Sequence, residues 1–252
     1  MIRSGPIPRK QQTKRLEELA AACTAKIRDE VLPALRVRAE SALGGERWEI
    51  VIDPDDAQTL LFRYPSAVGG GKDSGYVRRE VKIECGARSD AWPADAQTVL
   101  PYLAEAFPDG VTDAKVMVRA LALERTFWEK ATILHAEAHR AEDEATPVRL
   151  SRHYADLVAL AEHAAASAAL GRDDLRERVV AHKRVFFAST WASYETAVPG
   201  TFRLVPPAVR LAALEKDYRD MREMYFGEPK PWPDIVARLR DVEGRINARV
   251  GR

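Results

Sequence analysis

Two segments of this chain hold charged side chains where a packed helix would not choose them. In ERTFWEK, residues 124–130, a helical reading puts Leu123, Phe127, Lys130 and Leu134 on one stripe at intervals of four, three and four. Three of these are apolar, and an ammonium beside them is costly to bury unpaired. Held at a helix edge over a pocket, Lys130 can neutralise phosphate oxygens as a point charge. The competing reading is a stem that packs on the stripe while the ammonium reaches water. In RLSRHYADL, residues 149–157, Arg149, Arg152, His153 and Asp156 fall near one face, with Leu150, Tyr154, Leu157 and Ala161 beside them. Asp156 can hold a divalent metal or orient a nucleophile, or it can simply pair with Arg152 at i,i+4. Two neighbouring helices interrupted by charge at their packing edges point to a pocket for an anion.

Other residues carry weaker signals. Lys82 and Glu84 share the polar face of an alternating run. A strand carboxylate beside other acids is one way to build a two-metal phosphoryl-transfer site, and a solvated face of alternating sign is the other reading. Asp53, Asp55 and Asp56 mimic an Asp-x-Asp metal motif, but Pro54 interrupts them and they read as a turn. His135 and His139 stand at i,i+4 like half of a helical zinc site, yet no third ligand follows and a solvated helix face is expected. Gly69, Gly70, Gly71 and Lys72 lack phosphate-loop spacing and read as a hairpin loop. Lys183 and Arg184, near Phe186, Phe187 and Trp191, suit either an RNA-facing basic and aromatic patch or a packed helix end.

The elements that must position these groups follow from period and composition. With 252 residues, 46% hydrophobic and 31% charged, the chain is long enough for a sizeable core. A net charge of +1 excludes a global basic field for nucleic acid, though not a local patch. Cys23 and Cys85 fit no metal or redox spacing and read as reduced thiols. No run of roughly 18 apolar residues predicts a membrane span, and the basic N-terminus lacks an apolar signal core, so cytoplasm is the expected location. Residues 10–43 repeat at helical spacing, with a kink expected at Pro33. After Gly44 and Gly45, alternation predicts strands over 47–53, 58–64 and 77–85, in an antiparallel meander, with another over 115–121. Helices are predicted over 123–141, 150–168, 172–188, 208–225 and 233–250. The expected fold is α+β: a small, mostly antiparallel sheet after a long helix and before a helical bundle. The expected domains are 1–122, helix plus sheet, and 123–252, helical.

At residues 124–130 and 149–157 the sequence resembles the AbiEii/AbiGii toxin family of nucleotidyltransferases, within the DNA polymerase β-like nucleotidyltransferase superfamily. The likeness extends over most of the chain, through YPS (64–66), VKIECGARSD (81–90), ERTFWEKATILHAEAHR, RLSRHYADL, AHKRVFF (181–187) and MREMYFGEP (221–229). The resemblance implies transfer of a nucleoside monophosphate from an NTP, with Mg²⁺, to an RNA such as a tRNA 3′ end, releasing pyrophosphate. It implies the toxin of a toxin–antitoxin or abortive-infection system, with a separate antitoxin protein as partner. It places Lys130 by the nucleotide phosphates and has Asp156 complete the active site. Glu84 would flank the metal, and Lys82, Arg88 and Arg152 would be further nucleotide-binding cations. The family's Gly-Gly turn and metal-holding Asp-x-Asp are not found, and the segment from Gly44 to Asp55 does not supply them. The chain is therefore expected to start downstream of that motif, as an incomplete polymerase β-like core. The alternative to an active transferase is a non-catalytic nucleotide- or protein-binding helical module derived from the family.

Overall fold

The computed structural model describes residues 8–45, 47–65, 78–111 and 114–249. The chain folds into two compact units, Met1–Ser89 and Asp90–Arg252, and its class is α+β.

In the first unit one helical run spans α1 (Arg9–Lys26), a π segment (Ile27–Val31) and α2 (Leu32–Leu43). Pro33 lies in the first turn of α2. Its missing N–H falls where the ladder has already widened to π geometry, so the run continues past the proline. Strands β1 (Glu49–Asp53), β2 (Asp56–Arg63) and β3 (Glu80–Glu84) pair antiparallel in sequence order, with Ile50 opposite Phe62 and Leu60 opposite Ile83. The predicted alternation sets the packing: Ile50, Leu60, Phe62 and Ile83 meet Ile27, Leu32 and Leu35 of the helical run. Arg36 donates to the Ile50 carbonyl and ties helix to sheet. The β1–β2 connection is the expected turn, since Asp53 and Asp56 spend carboxylate oxygens on the N–H groups of Asp55 and Gln58. Cys23 and Cys85, remote in sequence, come together, the thiol of Cys23 donating to the Cys85 carbonyl at 3.4 Å. The Gly69–Lys72 loop lies outside the described residues.

The second unit begins with β4 (Ala94–Val99), α3 (Tyr102–Ala106) and β5 (Val116–Leu121). β4 and β5 pair only with each other among the described residues, so the single sheet expected from sequence is two. ADAQTV has almost no β-branched alternation, and β4 therefore left no periodic trace. The unit's division from the first falls upstream of the period change at residue 122 because β5 runs through Ala122 directly into α4 (Leu123–Glu137). There follow α5 (Ser151–Glu162), α6 (Ala165–Leu170), α7 (Asp173–Phe186), α8 (Leu211–Asp220) and α9 (Trp232–Asn247). The helix expected over 150–168 is broken at His163, whose backbone is extended.

The core of this unit is helical. Phe127, Trp128, Ala131 and Leu134 of α4 pack with Tyr154, Leu157 and Val158 of α5, Leu175 and Val179 of α7, and the α9 stripe from Trp232 to Ile246. Trp128 is fully buried, and its indole N–H donates to the Ala169 carbonyl at 3.0 Å, so its polar atom is satisfied while the ring fills the centre.

Candidate functional site

The apolar stripe of α4 turns toward this core and leaves Lys130 at the seam with α5. How α5 starts fixes the other half of the seam. Arg149 is left-handed (φ 64°), a conformation that costs a non-glycine residue roughly 1 kcal/mol or more. Asp217 of α8 offsets that cost: its carboxylate accepts from the N–H of Arg149 at 2.6 Å, from the N–H of Ser151 at 2.9 Å and from the Ser151 hydroxyl. A carboxylate at these orphan amides also suits the positive end of the helix.

With α5 so set, Lys130 Nζ donates to Asp156 Oδ2 at 2.7 Å and lies 3.0 Å from His153 Nδ1. Burial, and next the Lys130 charge, push the His153 pKa down to about 4. The imidazole is thus neutral at neutral pH, and its Nδ1 accepts a hydrogen bond from the Lys130 ammonium. Asp156 takes Lys130 as its ion-pair partner rather than Arg152, which lies exposed one turn earlier. The Lys130 side chain is 21% exposed and that of Asp156 46%. Two N–H groups of the ammonium are engaged, and the third is available to a ligand oxygen.

Beside this pair lies a charged cluster that periodicity did not reveal. The Arg125 side chain is completely buried on α4 and bonds Glu129 Oε1, Asp90 Oδ2 and the Trp92 carbonyl. Lys183 of α7 bonds the other oxygen of Glu129 at 2.9 Å, and Arg178 grips Asp90 through both oxygens at 2.6 and 2.9 Å. The Arg178 hydrogen bonds, helped by Arg125, hold the Asp90 carboxyl far below the usual carboxylate range. Burial opposes ionisation of Glu129, but Lys183 and Arg125 outweigh it and its pKa is lowered. The only sequence clue was Arg125 and Glu129 at i,i+4 on a helix whose other positions nearby are apolar. Asp90 and Lys183 reach the cluster from distant segments. Lys183 is accordingly buried and paired, not part of a solvated basic patch.

The remaining sequence candidates lie on β3, just beyond it, and on the last turn of α4. Glu84 is 72% exposed and pairs with Lys82 at 3.2 Å on β3. Arg88 lies exposed beyond that strand, and all three belong to the first unit. His135 is not on a solvated face. It is fully buried, accepts at Nδ1 from the Arg203 N–H, and turns Nε2 toward the Ser193 carbonyl and the Thr196 hydroxyl. Both ring nitrogens are thus spent on a loop, and burial pushes its pKa down to about 4.

The described residues do not fit a Mg²⁺ site. They contain no group of three His, Cys, Asp or Glu side chains able to hold a metal ion. The carboxylates near Lys130 are each matched to a cation: Asp90 to Arg125 and Arg178, Glu129 to Arg125 and Lys183, Asp156 to Lys130. A hard divalent cation needs several free carboxylate oxygens, and of these three groups both oxygens of Asp90 and Glu129 are engaged, with Asp156 Oδ2 on Lys130.

A family model described as the nucleotidyl transferase AbiEii toxin of type IV toxin–antitoxin systems matches residues 5–240. The chain belongs to the AbiEii family. The match spans both the Lys130 and the Asp156 segments. No curated protein and no solved structure matches the chain. AbiEii membership makes this a nucleotidyltransferase-like toxin of the type IV class. No helix among the described residues is long and apolar enough to cross a membrane.

Proposed function

We propose that the chain binds the triphosphate of an NTP at Lys130 and serves transfer of its nucleoside monophosphate to an RNA acceptor, as a toxin restrained by a separate antitoxin protein. The observation that carries this is the ammonium of Lys130, fixed between Asp156 and neutral His153 with one N–H left for a phosphate oxygen. Arg152, exposed beside it, adds a second cation at the rim. Near this seam Arg125, Lys130, Arg152, Arg178 and Lys183 outnumber Asp90, Glu129 and Asp156, so the local balance favours an anionic ligand.

In the reaction the acceptor hydroxyl oxygen attacks the α-phosphorus. The new O–P bond forms as the bond to the bridging oxygen breaks, and pyrophosphate leaves with the electron pair. Lys130 stabilises charge on the triphosphate as it shifts to the leaving group. Asp156 Oδ1, whose sister oxygen holds Lys130, accepts the hydrogen bond of the attacking hydroxyl and passes its proton toward solvent. Magnesium is the family expectation, but no step is assigned to it because the described acids do not form its ligand set.

The test is incubation of the full chain with labelled NTPs, Mg²⁺ and total tRNA. Label transfer that is lost in Lys130→Ala supports the assignment; transfer undiminished in that variant refutes it. A second reading, a binding module without turnover, draws on the absence of an acidic triad among the described residues. It predicts calorimetric NTP binding that Lys130→Ala weakens, with no label transfer.

A further inference from the structure

An acceptor strand needs a surface of its own beside Lys130, and α7 carries one. Arg178, His182 and Phe186 recur one turn apart, so a single stripe of the helix presents a cation and two rings over about 12 Å. The rings are stacked or capped by charge. The Arg178 guanidinium lies 4.7 Å from the Trp92 ring centre, and the Lys183 ammonium lies 4.7 Å from that of Phe187. His182 stacks on Phe186 with ring centres 4.6 Å apart and planes at 26°. Trp92 is 47% exposed and Phe187 42%, far more than rings of this size need be if their role were packing. The His182 nitrogens are enclosed and have no hydrogen-bond partner among the described residues. Burial lowers its pKa, so the ring is a neutral stacking face.

The strip is joined to the candidate site by unbroken contacts. Arg178 holds Asp90, Asp90 holds Arg125, and Arg125 holds Glu129, the residue before Lys130. Lys183 holds the same Glu129 and is close enough to His153 to disfavour its protonation.

We propose that Trp92, Arg178, His182 and Phe187 form the binding track for the single-stranded end of the RNA acceptor, with bases stacking on the exposed rings and a backbone phosphate meeting the half-exposed Arg178 guanidinium. The identity of the strand as an acceptor rests on the nucleotidyl-transfer reading; the track itself rests on the ring and cation geometry. Stacked bases tolerate any sequence because every base offers a π face, whereas a protein-docking patch would be a contiguous apolar surface without a cation over each exposed ring. A duplex has no free base faces to offer these rings, since its bases are already stacked on one another.

The experiment is fluorescence anisotropy of the full chain with a labelled single-stranded RNA oligonucleotide, its duplex form, and poly-glutamate as an acidic polypeptide. Trp92→Ala and Phe187→Ala remove exposed rings and are each expected to weaken single-strand binding about 5- to 50-fold, in line with the loss of one base stack. Trp92→Phe should retain most of it, and melting curves of all three variants should overlay the parent. Calorimetric NTP binding serves as the internal control: unchanged in these variants and weakened by Lys130→Ala. Equal single-strand affinity in parent and alanine variants, preference for duplex, or poly-glutamate binding lost in place of RNA binding would each overturn the track. Single-strand binding that depends on Trp92 and Phe187, in a protein that binds no NTP, would keep the track and sink the nucleotidyl-transfer reading.

Discussion

Lys130 Nζ and Asp156 Oδ2 lie 2.7 Å apart although 26 residues separate them, and the contact bridges α4 and α5. With Asp156 nearly half exposed, water screens the pair, and its coupling belongs in the range of about 0–1 kcal/mol. The contact orients an ammonium more than it stabilises the fold.

Lys130→Ala should therefore leave the melting temperature almost unchanged while weakening NTP binding about 10- to 100-fold, the worth of one hydrogen bond to a charged group. Titration calorimetry beside a thermal melt checks both halves. A large stability loss with unchanged NTP affinity would make Lys130 a structural residue.

Arg125 is the opposite case. Its buried guanidinium joins Asp90, Glu129 and the Trp92 carbonyl. Arg125→Met would leave two carboxylates short of a partner in a dry site and should cost about 3–5 kcal/mol, read from denaturant midpoints. A cost below about 1 kcal/mol would mean water reaches the cluster freely.

Asp217 should control α5. Asp217→Asn replaces one carboxylate oxygen with an NH2 group that cannot accept, so either the Arg149 or the Ser151 N–H loses its acceptor, and the expected loss is about 1–3 kcal/mol. Hydrogen exchange should accelerate first at the start of α5. Uniform acceleration over the whole unit would instead indicate a global defect.

Stability should fall on mild acidification. His135 and His153 both have pKa values pushed down to about 4, in each case chiefly by burial. An unfolded imidazole titrates near about 6.5. Between these values the unfolded chain binds more protons, so the stabilisation is whole above about 6.5 and is lost as the pH falls toward about 4. The groups facing His135 include Ser193, Thr196, Arg203 and His139, with Glu195 the one carboxylate that favours its charged form. Thermal melts across this window should show a falling Tm, with a shallower slope in His135→Gln. A slope identical to the parent's would remove His135 from the account.

The longer helices of both units and the three strands of the first could be read from side-chain order, because a buried face repeats every 3.6 or every two residues and needs only neighbours to declare itself. Lys130 and Asp156 stood out for the same reason, each a charge at the edge of an apolar stripe. What period could not show was partnership. Asp156 had Arg152 at helical spacing and takes Lys130 instead, since which of two nearby cations a carboxylate meets depends on how α4 and α5 pack. His135 looked like an exposed position and is buried under a loop that begins more than fifty residues later.

Residue order alone thus determined the longer helices, the strands of the first unit, the α+β class and the two charged interruptions, all properties of short stretches of chain. Tertiary structure decided that Asp90, Arg125, Glu129 and Lys183 share one buried cluster, that Asp217 starts α5, and that Arg178 caps Trp92. Those choices depend on burial: a charge removed from water must find its partner wherever the fold brings one, however far away it lies along the chain.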